Sequence, residues 1–291
     1  MTAEVLRYAA FPDNGSGGNP AGVVLDSAAL TDSQMLAIAQ TLGYSETAFL
    51  ATTGSGSEPV RTRYFSPRAE VDFCGHATIA AAVAIAERSG VGPLLLTTNA
   101  GPVDVITQQD EGAITATLTS PPTTTQAADD ETLCVALEAL RISSSDLDEQ
   151  YPAHISFAGN HHLVLGLGNR AVLDALDYDY PALEHLMSQQ SWTTVHLFWA
   201  EHPTLFHARN PFPPGGVRED PATGAAAAAF GGYLRDLALA PVPSRVTIRQ
   251  GLQMGAPSRL LVDISSDSRR VAVTGTAIQL PLSPYDELDL P

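Results

Sequence analysis

The sequence predicts an α+β protein made of two similar halves, and three observations point there. Short strand-like runs bounded by turn residues outnumber long helical patterns throughout. A Pro- and Thr-rich stretch near the middle, Pro121 to Asp130, has no core-forming periodicity. Motifs before that stretch recur in the same order after it. With 291 residues, 44% of them hydrophobic, the chain is long enough for two domains, each with its own core.

In chain order, Val5 to Phe11 and Ala21 to Leu25 are strand-like and flank a Gly-rich loop, Asn14 to Pro20. Thr31-Asp32-Ser33-Gln34 has the capping-box form and Gly43 offers a stop, so a helix is expected over 32–42. Strands follow at Tyr44 to Leu50 and Val60 to Phe65, then a helix at Ala77 to Arg88, then strands at Leu94 to Thr98, Val103 to Thr107 and Ile114 to Thr119. Beyond the central stretch come a helix at Glu131 to Leu140, a strand at Leu163 to Leu167, and helical patterns at Ala171 to Leu176 and Leu183 to Ser188. Strands are expected at Thr193 to Phe198 and Leu205 to Ala208, and a helix from Pro221 to Leu237 after the loop Asn210 to Glu219. Strands at Val246 to Arg249, Arg259 to Ile264 and Val271 to Gly275 complete the pattern. The expected division is an N-terminal half over 1–119 joined by the C-terminal segment 276–291, a linker at 120–129, and a C-terminal half over 130–275.

The repeat lies where chemistry would sit. Gly18-Asn19-Pro20-Ala21-Gly22 is echoed by Gly159-Asn160-His161-His162-Leu163. Arg63-Tyr64-Phe65-Ser66-Pro67 leads to Cys74-Gly75-His76-Ala77-Thr78 and an Ala-rich helix, as Arg209-Asn210-Pro211-Phe212-Pro213 leads to Asp220-Pro221-Ala222-Thr223-Gly224 and another. From arginine to Cys74 or to Asp220 the step is 11 residues, and matching the two Ala-Thr pairs instead sets Asp220 against Gly75. A pseudo-twofold relation would bring the starts of both Ala-rich helices to one cleft between the halves. Helix N-termini carry unpaired N–H groups and partial positive charge, so such a cleft suits a small anionic metabolite.

Composition removes several classes. All 15 basic residues are arginine, which excludes the Schiff-base lysine of pyridoxal phosphate enzymes and the lysine of a Walker A loop. A net charge of −17 argues against a nucleic-acid partner. The apolar runs Ala80 to Ala86 and Ala225 to Phe230 are far shorter than the ~20 residues of a membrane span, and no export signal is visible, so no membrane partner and a cytoplasmic location are expected. The cysteines Cys74 and Cys134 form no metal-ligand spacing, and the eight histidines form no His-Glu-x-x-His pattern, so no metal is expected.

Taken together, Phe11 with Gly18-Asn19-Pro20-Ala21-Gly22-Val23-Val24, Tyr44-Ser45-Glu46-Thr47-Ala48-Phe49, Arg63 to Pro67, Glu70 with Phe73 to Thr78, Glu219 to Gly224, and Gln250-Gly251 with Met254-Gly255 and Pro257-Ser258 resemble the PhzF-like phenazine-biosynthesis family. That family shares the diaminopimelate epimerase-like fold. The resemblance implies two barrel-like halves, each a curved, mostly antiparallel sheet around a central helix, with the active site in the cleft between them. It also implies no organic cofactor, a homodimer, and an isomerase in which a glutamate moves a proton along a conjugated cyclic acid; the family's type reaction isomerises trans-2,3-dihydro-3-hydroxyanthranilate. Two positions depart: Ala225 stands where the family has serine after Thr-Gly, and Ala256 where arginine follows Met-Gly.

The resemblance makes Glu46, His76 and Asp220 the catalytic candidates, and Asn19, Gly75, Ala77, Thr223, Gly224 and Ala225 the substrate-binding ones. From position alone Glu46 is an ordinary strand carboxylate; in an apolar setting it would take and return a proton near neutral pH. His76 before a helix either packs or relays a proton. Asp220 followed by Pro221 has the form of an N-cap with proline at the first helical position, which is compatible with accepting a hydrogen bond from a substrate hydroxyl or amine. Cys74 matches the catalytic thiol of the related epimerases, but with Asp220 as the partner position a two-thiol mechanism is unavailable, and a buried, inert cysteine is expected. Gly18, Gly75 and Gly224 are assigned to backbone conformation and close approach to ligand, and Asn19 to a turn hydrogen bond. The competing readings are an amino-acid epimerase or racemase working without pyridoxal phosphate, and a non-catalytic ligand-binding protein on the same fold.

Overall fold

The structure is a computed structural model that describes residues 2–51, 59–281 and 287–289. The chain divides into two compact units, Met1–Thr119 with Thr274–Pro291, and Ser120–Val273. Of the C-terminal segment 276–291, residues 282–286 and 290–291 lie outside the described residues.

In the first unit, β1 (Thr2–Glu4) is followed by β2 (Leu6–Ala10) and β3 (Asn19–Val24). Helix α1 (Asp32–Leu42) then crosses to β4 (Glu46–Ala51). Its capping box at Thr31 and left-handed Gly43 are both present, because the side chains of Thr31 and Gln34 satisfy each other's backbone N–H groups. β5 (Val60–Phe65) and the short β6 (Glu70–Val71) lead to α2 (Gly75–Ser89). β7 (Pro93–Thr98), β8 (Gly101–Asp110) and β9 (Ala113–Thr119) follow.

The second unit runs through β10 (Thr124–Ala127), α3 (Asp130–Leu140), β11 (His154–Phe157), β12 (His161–Gly166), α4 (Arg170–Asp174), α5 (Tyr180–Gln190), β13 (Trp192–His202) and β14 (Leu205–Arg209). It continues with α6 (Gly224–Asp236), β15 (Ser244–Gln250), β16 (Ser258–Ile264) and β17 (Val271–Gln279), whose residues from Thr274 on belong to the first unit. The last strand, β18 (Glu287–Asp289), pairs antiparallel with β1.

The pairing order explains the α+β architecture. In the first unit the order β17-β2-β3-β4-β5-β7-β8-β9 returns to β17, an eight-stranded closed barrel. β3–β4 and β5–β7 are parallel, with α1 and α2 as the crossover helices, and β17–β2, β2–β3, β4–β5, β7–β8 and β8–β9 are antiparallel. The second unit repeats this order as β11-β12-β13-β14-β15-β16-β17, with β12–β13 and β14–β15 parallel. Its sheet is rounded off by bonds outside the regular ladder: Ser120 N–H donates to Val271 O and Thr123 N–H to Arg269 O, at 2.9 and 2.8 Å.

Each unit is wrapped around one helix. α2 packs against β2, β3, β4, β8 and β9, and every residue from His76 to Ala84 is buried. α6 packs against β10, β11, β12 and β16, and every residue from Ala226 to Leu234 is buried. A helix buried on all sides needs no polar stripe, which accounts for the alanine-rich composition of both.

Five strands were not expected from the sequence, β1, β6, β10, β11 and β18, and two of them, β10 and β11, lie in the second unit. Within the expected linker 120–129, Thr124–Ala127 is the edge strand β10, paired with His154–Phe157. As an exposed edge it needs no apolar alternation, so periodicity could not reveal it. β11 was missed because its inward residues, His154 and Ser156, are polar, with Ser156 Oγ bonded to Thr125 Oγ1 at 2.8 Å.

The core of the second unit holds two fully buried histidines. His162 Nδ1 meets Thr194 Oγ1 at 2.8 Å and His196 Nδ1 meets Asn210 Oδ1 at 2.9 Å, while both Nε2 atoms lack a partner. Burial holds His162 down to about 3, helped by the neighbouring His196 and His161, and holds His196 down to about 4 against the opposing effect of its hydrogen bond to Asn210 Oδ1. The unfolded chain therefore binds protons that the folded chain refuses, from the ordinary value of 6.5 downward. Stability should be full above pH 7 and fall as pH drops from about 6.5 toward 4, at up to ~1.4 kcal/mol per pH unit for each histidine. Urea unfolding of wild type and His162→Gln across that range checks it: the variant should show the shallower pH dependence, and equal slopes would contradict the assignment.

Candidate functional site

In the first unit, two elements bring the candidates together. Glu46 is the first residue of β4, and the parallel register pairs it with Ala21 of β3, so Asn19, two residues earlier, projects from the same face. Asn19 opens β3 opposite Ala10 and is buried; the turn belongs to Gly18, whose φ of +86° and approach to Ala10 O leave no room for a Cβ. Cys74 is the N-cap residue of α2, with no side-chain cap bond, and Gly75, His76 and Ala77 form the first turn. Thr78 anchors that turn: its Oγ1 donates to Cys74 O at 2.7 Å and lies 2.6 Å from the OH of the fully buried Tyr64.

Here the Glu46 carboxylate, Oε2, lies 3.6 Å from His76 Nε2. Ser45 Oγ is 3.4 Å from the same nitrogen, and Cys74 Sγ is 3.3 Å from His76 Nδ1. His76 is thus flanked by a carboxylate, a hydroxyl and a thiol, with only 6% of its side chain and 15% of that of Glu46 exposed. A carboxylate against an imidazole at this separation, beside the N–H groups of a helix start, can exchange protons with a bound acid. Ala77 is fully buried, so only its backbone can serve a ligand.

In the second unit α6 begins at Gly224 with Thr223 as N-cap. The expected start at Pro221 is therefore corrected: Asp220 does not cap this helix. Its Oδ2 instead accepts Thr223 Oγ1–H at 2.6 Å, and its backbone N–H donates to Asn210 O at 3.0 Å. Gln250, 1% exposed, ties the turn together by donating from Nε2 to Asp220 O at 2.6 Å and to Thr223 Oγ1 at 3.0 Å. Asp220 and Thr223 are almost buried, and Ala225 is the partly exposed residue of the first turn. Gly75 and Gly224 are ordinary first-turn helical residues without positive φ, so the assignment of a special backbone conformation to them does not hold.

The two units share a clamp that motif matching did not assign. Arg63 binds Glu70 through Nε and an Nη, both at 2.7 Å. Arg209 binds Glu219 through Nε at 3.0 Å and also through an Nη, and its remaining Nη donates to the carbonyls of Leu173 and Asp174. In both units the clamped glutamate stands four residues before the N-cap, Cys74 or Thr223. The arginine-to-cap step is eleven residues in the first unit and fourteen in the second, so the equal count that set Cys74 against Asp220 dissolves: by the caps, Thr223 holds the place of Cys74.

Comparison with known proteins agrees with this architecture. Residues 8–281 match the family model PhzC-PhzF, described as phenazine biosynthesis-like protein. An uncharacterised isomerase of Bacillus subtilis, YfhB, is 31% identical over 287 residues, covering 95% of this chain and 96% of the relative. The trans-2,3-dihydro-3-hydroxyanthranilate isomerase of Pseudomonas fluorescens is 30% identical over 268 residues, covering 90% and 91%. Among solved structures, a phenazine biosynthesis protein of the PhzF family from Bacillus anthracis superposes with a TM-score of 0.83 at 24% identity, covering 97% of this chain and 98% of the other. The α+β barrel with a central helix is the fold of this class. The chain belongs to the PhzC-PhzF family of phenazine biosynthesis-like proteins.

The Arg209–Glu219 pair is 9% exposed on both sides, and removing one partner strands the other charge in the interior. Arg209→Met should cost about 3–5 kcal/mol in urea unfolding. The double variant Arg209→Met/Glu219→Leu should recover most of that loss; additive losses would show that the pair is not a coupled unit.

Proposed function

We propose that this chain is a cofactor-independent isomerase that shifts a proton on a small cyclic carboxylic acid, with Glu46 as the proton carrier. Family membership makes it an isomerase; the proton carrier and the substrate class are the proposal. The observation that carries it is the Glu46 carboxylate set 3.6 Å from His76 Nε2 at the uncapped start of α2. Glu46 takes a proton from one ring carbon, the π electrons shift along the conjugated system, and the carboxyl group returns a proton at another carbon, so the formula is unchanged. His76 orients the substrate or relays the proton. Asp220 accepts a hydrogen bond from a substrate hydroxyl or amine, Asn19 and the first-turn N–H groups at Gly75, Ala77, Gly224 and Ala225 bind its polar groups, and the Thr223 hydroxyl holds Asp220. Ala225 brings no hydroxyl to its helix start, so the contact there falls to backbone N–H. In this reading the protein works in the cytoplasm as a homodimer on a small anionic metabolite; no helix among the described residues is long and apolar enough to cross a membrane.

A second reading, epimerisation of an amino acid, draws on Cys74 Sγ at 3.3 Å from His76 Nδ1, which gives the site a thiol beside its carboxylate. Deuterium entering at a stereocentre with inversion would favour it.

The test is proton exchange in deuterium oxide, first with trans-2,3-dihydro-3-hydroxyanthranilate and then with a panel of cyclic amino and hydroxy acids. Glu46→Gln should lower exchange at the substrate carbon by about 10²–10⁴-fold with binding nearly unchanged. Wild-type rates in that variant would sink the assignment and move the base to Asp220 or His76. Activity should also survive chelator treatment, and stoichiometric metal lost together with activity would overturn the cofactor-independent reading.

A further inference from the structure

Glu46, Cys74 and His76 offer three different donor atoms: a carboxylate oxygen, a thiol sulfur and an imidazole nitrogen. One donor atom from each lies within 4.8 Å of the other two. Sγ is 3.9 Å from His76 Nε2, and that nitrogen is 3.6 Å from the Glu46 carboxylate. Tetrahedral zinc, with Zn–S of ~2.3 Å and Zn–N and Zn–O of ~2.0–2.2 Å, needs donor separations of about 3.4–3.6 Å. The two pairs that include Nε2 therefore need to close by only a few tenths of an ångström, and the sulfur-to-carboxylate pair, within 4.8 Å, by no more than about 1.2 Å. Their backbones are fixed independently, Glu46 by the β3–β4 ladder and the other two by the start of a helix buried on all sides.

We propose that Glu46, Cys74 and His76 form a binding site for a thiophilic divalent cation of the zinc class, and that the bound cation inhibits the enzyme. The inhibitory part rests on Glu46 as proton carrier; the binding part stands without it. Thiolate with imidazole selects zinc-class ions over magnesium and calcium, which take six or more oxygen donors. Three protein ligands leave a fourth position for water or the carboxylate of an acid. Binding requires the thiol to lose its proton to solvent, so affinity rises with pH. A cation held there occupies the carboxylate and the imidazole together and takes both out of proton exchange.

The experiment titrates chelator-treated wild-type protein with cobalt(II), whose thiolate charge-transfer band in the near ultraviolet and tetrahedral visible bands report the ligand set. One equivalent should produce both, and zinc should displace it. Cys74→Ser should lose the charge-transfer band, Glu46→Gln should weaken binding at least about 10–100-fold, and Cys134→Ser, a change at the exposed second cysteine, should behave as wild type. No band in wild type, or a band that survives Cys74→Ser, overturns the site. X-ray absorption of zinc-loaded wild type covers the event that a variant misfolds: one sulfur among nitrogen and oxygen neighbours is expected, and a shell without sulfur refutes it. Once a substrate is found, zinc that binds in this way without slowing exchange rejects only the inhibitory part.

Discussion

The structure depends on enclosing a helix within a curved sheet. A helix inside a barrel has no solvent-facing side, so its residues must be small enough for strands to approach from every direction. Ala77, Ala80, Ala81, Ala82 and Ala84 of α2 are each 0% exposed, and α6 meets the same demand with Ala226 to Ala229. At Gly232 even a methyl group is excluded, because an added Cβ would lie 2.4 Å from Thr123 Oγ1. Such a helix cannot use a long polar side chain along its length, which leaves its first turn as the place where its backbone can meet a ligand. The candidate residues gather at Cys74 to Ala77 and at Thr223 to Ala225 for that reason.

Holding those turns in place falls to the segments that lead into them. The bidentate Arg63–Glu70 and Arg209–Glu219 clamps stand at the same distance before each cap, although three more residues separate arginine from glutamate in the second unit. A guanidinium fork that fits one carboxylate in two bonds fixes direction as well as distance. The second clamp is the more buried, and it is backed by Gln250 and Asn210. The two units thus share the clamp and differ in the side chains that follow it, Cys74 and His76 in one unit and Thr223 and Asp220 in the other.

Much of this was legible in the sequence, for identifiable reasons. The helix at Asp32–Leu42 was bounded correctly because both its cap residues are local signals. Strand Val60–Phe65 was bounded correctly because its alternation faces one core. The edge strand Thr124–Ala127 and the polar-faced His154–Phe157 were invisible because pairing, not hydrophobic pattern, makes them strands. At the site, Glu46 and His76 came from the family motif, and the structure brings them together. Ser45, Gln250, Asn210 and the arginine clamps went unassigned, although all lie in segments that the motifs or the repeat had marked. Their roles depend on partners as far apart in sequence as Gln250 and Asp220, and spacing carries no trace of such pairs.

The same separation explains why the carboxylate, thiol and imidazole around His76 can have two incompatible uses. Proton transfer needs donors whose lone pairs are available and whose protons move; metal binding needs those same lone pairs committed. The strand and the helix start that hold Glu46 Oε2 3.6 Å from His76 Nε2 also set Cys74 Sγ 3.3 Å from His76 Nδ1, because Cys74 is the residue that ends the clamp segment and begins the helix. An inert residue at the cap would avoid the conflict, as Thr223 does in the second unit, where the hydroxyl is spent on Asp220. The turn is anchored through the Cys74 backbone carbonyl by Thr78, while the Cys74 sulfur lies 3.3 Å from His76 Nδ1.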